Sequence, residues 1–217
     1  MTDETVSVAA PASGAPAAER PRFSLTFRAR DFLTVAIFAV IYIVVIFAVS
    51  MLGIISPLVM VLTLPLAPLV AGIPYMLFLS RVRHGGMVTL FGIVFGLASM
   101  GWGHPWQSAL VIVAVSLVAE VVLFAGRYRS TWAAIWAYTI FSAWMIGPWI
   151  PFFLDPEAYL AGQATQSMGS DYVEQMDAVL AAPVVLGVWA AGIVFGFLGG
   201  LLGAAVLRKH FTRAGLA

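Results

Sequence analysis

The stretch FLTVAIFAVIYIVVIFAVSML, residues 32–52, contains no charged side chain and only two residues with a hydroxyl-bearing aliphatic side chain, Thr34 and Ser50. As a helix rising about 1.5 Å per residue it spans roughly 30 Å, the thickness of a bilayer's hydrocarbon core. Five more apolar stretches follow, at about 57–79, 86–101, 107–125, 131–153 and 183–207. Hydrophobic residues make up 62% of the 217 and charged ones 10%, with a mean hydropathy of +0.99. A soluble domain carries about 25% charged residues. The expected fold is therefore all-α: a polytopic membrane protein with six transmembrane helices. Prolines 57, 65, 68 and 74 should make the second span irregular, since each lacks a backbone donor and tends to kink a helix.

The charges orient the spans. Placed with the N-terminus inside, the inner segments hold Arg20, Arg22, Arg28, Arg30, Arg81, Arg83, Arg127, Arg129, Arg208, Lys209 and Arg213, which is every Lys and Arg in the chain. The positive-inside rule then puts both termini in the cytoplasm. The long outer loop at about 154–182 instead carries Asp155, Glu157, Asp171, Glu174 and Asp177. Residues 1–27, rich in Ala, Pro, Ser and Gly, read as a disordered cytoplasmic tail without the hydrophobic core of a signal peptide. Residues 28–217 form the transmembrane domain.

Several chemistries are excluded or unsupported. There is no cysteine, so disulfides and thiolate ligation drop out. No HExxH, Walker A or nucleophile-elbow pattern occurs. We expect no enzyme activity, no intrinsic cofactor, no metal site and no nucleic-acid partner; a chain of this kind cannot hydrolyse ATP by itself.

Candidate binding residues gather in the outer half. His104 lies in MGWGHPWQS, residues 100–108, between the third and fourth spans. It is either a turn residue or a ligand contact. Trp102 and Trp106 flank it, Trp144 and Trp149 lie in SAWMIGPWIPFF, and Trp189 opens the sixth span. Tryptophans favour the headgroup interface, yet Gly147, Pro148 and Pro151 break the helix where they cluster. Aromatics on irregular backbone can also wall a ligand cavity. His84 and His210, among basic residues, read as interface residues.

Two features suggest partner contacts. Glu120 is the clear intramembrane carboxylate, either paired or snorkelling, or used in coupling. In the sixth span Gly192, Gly196 and Gly200 recur every fourth residue, as do Gly199 and Gly203, with Gly92 and Gly96 in the third. That spacing lets helices approach closely, within the chain or against another subunit.

RDFLTVAIFAVIYIVV, GIPYMLFLSRV, GHPW, GRYRS, FSAWMIGPWIPFF, DPEAYLA, MGSDYVEQM and GGLLGAAVLRKHFTRAGLA together resemble an S component of an energy-coupling-factor (ECF) transporter, in the Trep_Strep branch of conserved integral membrane proteins. The resemblance runs from about residue 28 to the C-terminus. It implies a multi-pass subunit of the bacterial cytoplasmic membrane that binds one micronutrient from outside. Its partners would be a T subunit and two cytoplasmic ATPases that hydrolyse the ATP. It also implies toppling in the bilayer and a small-residue AxxxA contact on the first helix, for which Ala36 and Ala39, three apart, are the nearest match. The outer loop would be a lid, with Tyr159, Asp171 and Tyr172 at family-like positions. Some related systems are associated with haem uptake, so haem or another tetrapyrrole is one expected substrate and a vitamin-like or cationic organic molecule the other. The alternative function is a membrane scaffold or assembly protein that docks a partner through the glycines of its sixth helix.

Overall fold

The computed structural model describes residues 27–82 and 84–213, without the side chains of 163, 164 and 210–213. The tail expected over 1–27 lies, apart from Phe27, outside the described residues, as do Arg83 and the side chains of His210 and Arg213. Among the described residues all regular structure is helical. The order is α1 (Ala29–Ser50) with a 3₁₀ turn at Met51–Ile54, α2 (Pro57–Thr63), α3 (Leu66–Leu79), α4 (Met87–Gly101) and α5 (Trp106–Ala125). Then come α6 (Thr131–Ser142), a 3₁₀ segment at Ala143–Trp149, α7 (Ile150–Leu154), α8 (Pro156–Ala161), α9 (Gln163–Gln166), α10 (Ser170–Val179) and α11 (Ala182–Arg213).

Four helical segments are long and apolar enough to cross a membrane: Ala29–Ile54, Trp106–Ala125, Thr131–Leu154 and Ala182–Lys209. A fifth forms if α2 and α3 count as one span bent by 41°. The bend falls at Pro65, which cannot donate to the carbonyl four residues back. The expected third span is α4, whose 15 residues reach only about 22 Å. Gly86, with φ of 92°, starts it, and the Gly103–Pro105 turn ends it. The chain is thus a multi-pass helical membrane protein with four to five spans of full length, where six were expected.

The glycines of α11 explain its close packing against α3 and α6. A Cβ on Gly72 of α3 would lie 2.3 Å from the carbonyl carbon of Gly199, so only hydrogens let these backbones meet. Lipid gives little apolar drive for helix association, and such close packing supplies the cohesion instead. A second stripe on α11 faces a different neighbour: Gly192 meets Met145, Gly196 meets Ser142 and Gly200 meets Ile135. The core beside them is aromatic, built on buried Tyr42, Tyr75, Tyr138, Phe91 and Phe141. Outward-facing Leu33, Val40 and Val44 of α1, and Leu110 and Val121 of α5, are exposed, as befits side chains in contact with lipid.

The bundle has two distinct ends. At the basic end the His84 ring lies 3.2 Å from the Asp31 carboxylate, tying the start of α1 to the α3–α4 loop. Arg81, Arg129 and Arg208 share this end, because it gathers the end of α3, the start of α6 and the end of α11 around one cavity. At the other end α8, α9 and α10 fold into a cap. A small second core of Trp149, Phe152, Met176, Leu180 and Val185 holds it, and the Tyr172 hydroxyl donates to the Gly53 carbonyl at 2.8 Å. The Asp155 carboxylate caps α8 by accepting from Ala158 N at 2.9 Å, a role that Asp fills well before an N1 proline.

Candidate functional site at the cap end

The turn at 102–105 joins α4 to α5 beneath the aromatic rings of the 3₁₀ segment. The His104 amide donates to the Ser99 carbonyl at 3.1 Å, which curls the chain back over the end of α4. Its ring stands 6.3 Å from Trp144 and 6.0 Å from Trp102. Burial pushes the imidazole down to about 4, so at neutral pH it carries one donor and one acceptor. Its Nδ1 is buried without a hydrogen-bond partner, and so are Gln107 Oε1 and Ser108 Oγ on the first turn of α5. Buried polar atoms are nearly always paired. Three orphans within residues 104–108 are therefore exceptional. Ser108 is fully buried and packs on Gly147, where a Cβ would come within 2.7 Å of Ser108 Cα.

The tryptophans separate into two groups. Trp102 and Trp106 are exposed, whereas Trp144 and Trp149 are buried. Trp144 Nε1 donates to the Tyr42 hydroxyl at 3.1 Å, and Trp189 Nε1 donates to the Ala143 carbonyl at 3.0 Å. Trp149 lies against Tyr159, with ring centroids 6.1 Å apart. The broken helix is thus filled with rings: Trp144 packs into the main core and Trp149 into the small core under the cap. The opening at this end is a cleft of about 380 Å³ lined by Ile55, Met168, Asp171, Tyr172 and Gln175. His104, Trp144, Trp149, Tyr159, Tyr172 and Trp189 are all brought to this end, while Trp106 faces outward.

The residues expected to couple to a partner are differently placed. Glu120 is buried. Its Oε2 accepts from Val88 N at 2.9 Å and Thr89 N at 3.0 Å, and its Oε1 accepts from the Tyr128 hydroxyl at 2.8 Å. A carboxylate on the first-turn amides of α4 meets the positive end of that helix. Glu120 is therefore an internal cap, the paired one of the arrangements expected for it. Gly192, Gly196 and Gly200 face the chain's own α6 and the 3₁₀ segment that follows it, so the expected docking face is already covered. Ala39 is buried while Ala36 is exposed, and the two do not form one contact surface.

A cavity of about 730 Å³ lies at the basic end, with Leu79, Leu123, Ile135 and Leu201 along its floor and Arg129 and Arg208 at its rim. The turn beside it holds two consecutive non-glycine residues with positive φ, Arg127 at 54° and Tyr128 at 53°. Such conformations cost about 1–3 kcal/mol each. Sequence reasoning missed this cavity, as it missed Gln107 and Ser108. Two polar residues at the start of an otherwise apolar span were the available signal for the latter pair. Among the described residues no group of His, Asp and Glu is arranged to hold a metal ion.

No curated protein and no solved structure matches the chain. A family model described as hypothetical bacterial integral membrane protein (Trep_Strep) matches residues 29–213, which takes in every described helix from α1 to α11. The chain belongs to the Trep_Strep family of bacterial integral membrane proteins.

Proposed function

We propose that this chain is a substrate-binding membrane subunit of an importer, of the kind represented by ECF S components, and that it takes its ligand at the cap end. One observation carries the reading: the end of the bundle that bears the small cap of short helices also holds three buried polar atoms, His104 Nδ1, Gln107 Oε1 and Ser108 Oγ, with no partner in the protein. A small organic ligand with donor and acceptor groups supplies such partners, and the aromatic rings offer a flat apolar face. The cap helices then act as a lid, with Tyr159 and Tyr172 as contacts. The ligand class is a tetrapyrrole such as haem, with the neutral imidazole of His104 as axial ligand, or another vitamin-like molecule. The acidic side chains near the cap, Asp155, Glu157, Asp171, Glu174 and Asp177, favour a neutral or cationic molecule.

The positive-inside rule assigns the basic end to the cytoplasm, with six membrane-crossing segments if α4 and the bent α2–α3 pair each count as one. Energy would come from a T subunit and two ATPases in the bacterial cytoplasmic membrane. The exposed apolar face of α1, including Ile37, Val40 and Val44, is one surface open to such a partner. Two measurements test the proposal. Protein purified from its own host should show a Soret absorption band if the ligand is a tetrapyrrole. Vesicles carrying the chain should take up haem, or a member of a panel of water-soluble vitamins, only when ATP-hydrolysing partner subunits are present. Uptake by the chain alone, driven by an ion gradient, would contradict it.

A further inference from the structure

The cavity at the basic end has a built asymmetry that the importer reading does not use. Its floor is hydrocarbon, from Leu79 of α3, Leu123 of α5, Ile135 of α6 and Leu201 of α11. Its rim is cationic and donor-rich: Arg129, Arg208 and the first turn of α6 at Ser130 and Thr131. That turn is the positive end of a 12-residue helix, which adds to the field of the two guanidiniums.

Charge balance sharpens the preference for an anion. Of the ten acidic residues, Asp31 and Glu120 are the two set among the described residues of this end. Both are occupied, Asp31 by Arg28 N and His84, Glu120 by the amides of α4 and by Tyr128. Among the described residues Arg129 has no carboxylate within ion-pair distance. The strained turn at Arg127 and Tyr128 is the device that presents Arg129. Held through the Tyr128–Glu120 bond, it turns the chain so that Tyr128, Arg129 and Ser130 all line the cavity.

We propose that this cavity is a site for one anionic phospholipid of the surrounding leaflet. Its phosphate sits between Arg129, Arg208 and the first turn of α6, and an acyl chain lies along the Leu123–Leu201 floor. Charge complementarity selects the lipid: a basic pocket between membrane helices on the cytoplasmic side suits an anionic headgroup, and a volume of about 730 Å³ is in the range of about 300–1,000 Å³ typical of ligand sites. The site rests on the orientation assigned above but not on transport, and it stands whether or not the cap end binds a micronutrient.

The experiment measures lipid retained per chain through repeated delipidating detergent washes, after loading with phosphatidylglycerol or phosphatidylcholine. Wild-type protein should keep about one phosphatidylglycerol and at least tenfold less phosphatidylcholine. The double variant Arg129→Gln/Arg208→Gln should lose that preference. Ala205→Phe, which fills the slot from an exposed position at its edge, should release the lipid with both arginines intact, and it supplies the answer if the double variant fails to fold. Equal retention of the two lipids by wild type would overturn the proposal. So would an unchanged preference in Ala205→Phe, or displacement of the lipid by glycerol phosphate at similar concentration, which would assign the site to a soluble anion.

Discussion

At the basic end one carboxylate, Glu120, accepts from four donors drawn from two other segments; at the cap end three polar atoms within residues 104–108 have no partner in the protein. Both groups are buried in the same bundle and lie at the termini of its helices. The physical cost of leaving a buried polar atom unpaired is about 1–3 kcal/mol, so the first arrangement stabilises and the second costs. Where a protein keeps such a cost, something outside the chain is the natural partner. The comparison separates a structural carboxylate from the surface proposed to bind a ligand, although from sequence Glu120 was the more conspicuous residue.

The largest effect should come from removing the paired group. Glu120→Ala strands Val88 N, Thr89 N and the Tyr128 hydroxyl, and should cost about 3 kcal/mol or more in denaturant unfolding in micelles. Glu120→Gln keeps an acceptor for α4 and should recover part of it. If both were neutral, the basic end would not be built on this carboxylate. Next, Tyr172→Phe removes the bond to Gly53 and should weaken the cap by about 1 kcal/mol, seen as faster hydrogen exchange in residues 156–179 with the bundle unchanged. Global destabilisation instead would mean that the cap is not a separate unit.

Smaller still is Ser108→Ala. Deleting an unpaired buried hydroxyl should change stability by less than about 0.5 kcal/mol, or raise it, while lowering ligand affinity. A loss comparable to that of Glu120→Ala would show that Ser108 is structurally paired and would erase the contrast between the ends. A pH dependence gives a further test. The His104 imidazole is lowered from 6.5 to about 4 by burial, so the unfolded chain takes up the proton first as pH falls. Its contribution is complete above pH 6.5, declines between 6.5 and 4, and is gone below. The difference in stability between wild type and His104→Gln should therefore shift between pH 6.5 and 5, and a difference flat with pH would place the ring in contact with solvent.

Much of the fold could be read from runs of apolar residues and from prolines, because bilayer thickness and missing donors act locally. The break near Pro65 and the departure from α-helix before Gly147 are of this kind. The role of each glycine stripe was not legible, since a four-residue spacing serves equally for the chain's own α3 and α6 or for another subunit. For the same reason Trp144 and Trp106 look alike in sequence: both are tryptophans beside a helix break, and only packing makes one a core residue bonded to Tyr42 and leaves the other exposed. Glu120 was visible, but its partners lie more than 30 residues away at Val88 and Thr89, beyond any local pattern. His104 kept two readings from sequence, and its orphan Nδ1, invisible in the sequence, is what the proposed ligand contact rests on.

The most direct test is native mass spectrometry of the full chain gently extracted from its own host's membranes, beside Ser108→Ala and His104→Ala prepared identically. Wild type should carry a small organic molecule that survives lipid removal, and each variant should lose it while remaining folded. Bare protein of the same mass in all three, with the cap still protected from exchange, would contradict a ligand site at the cap end.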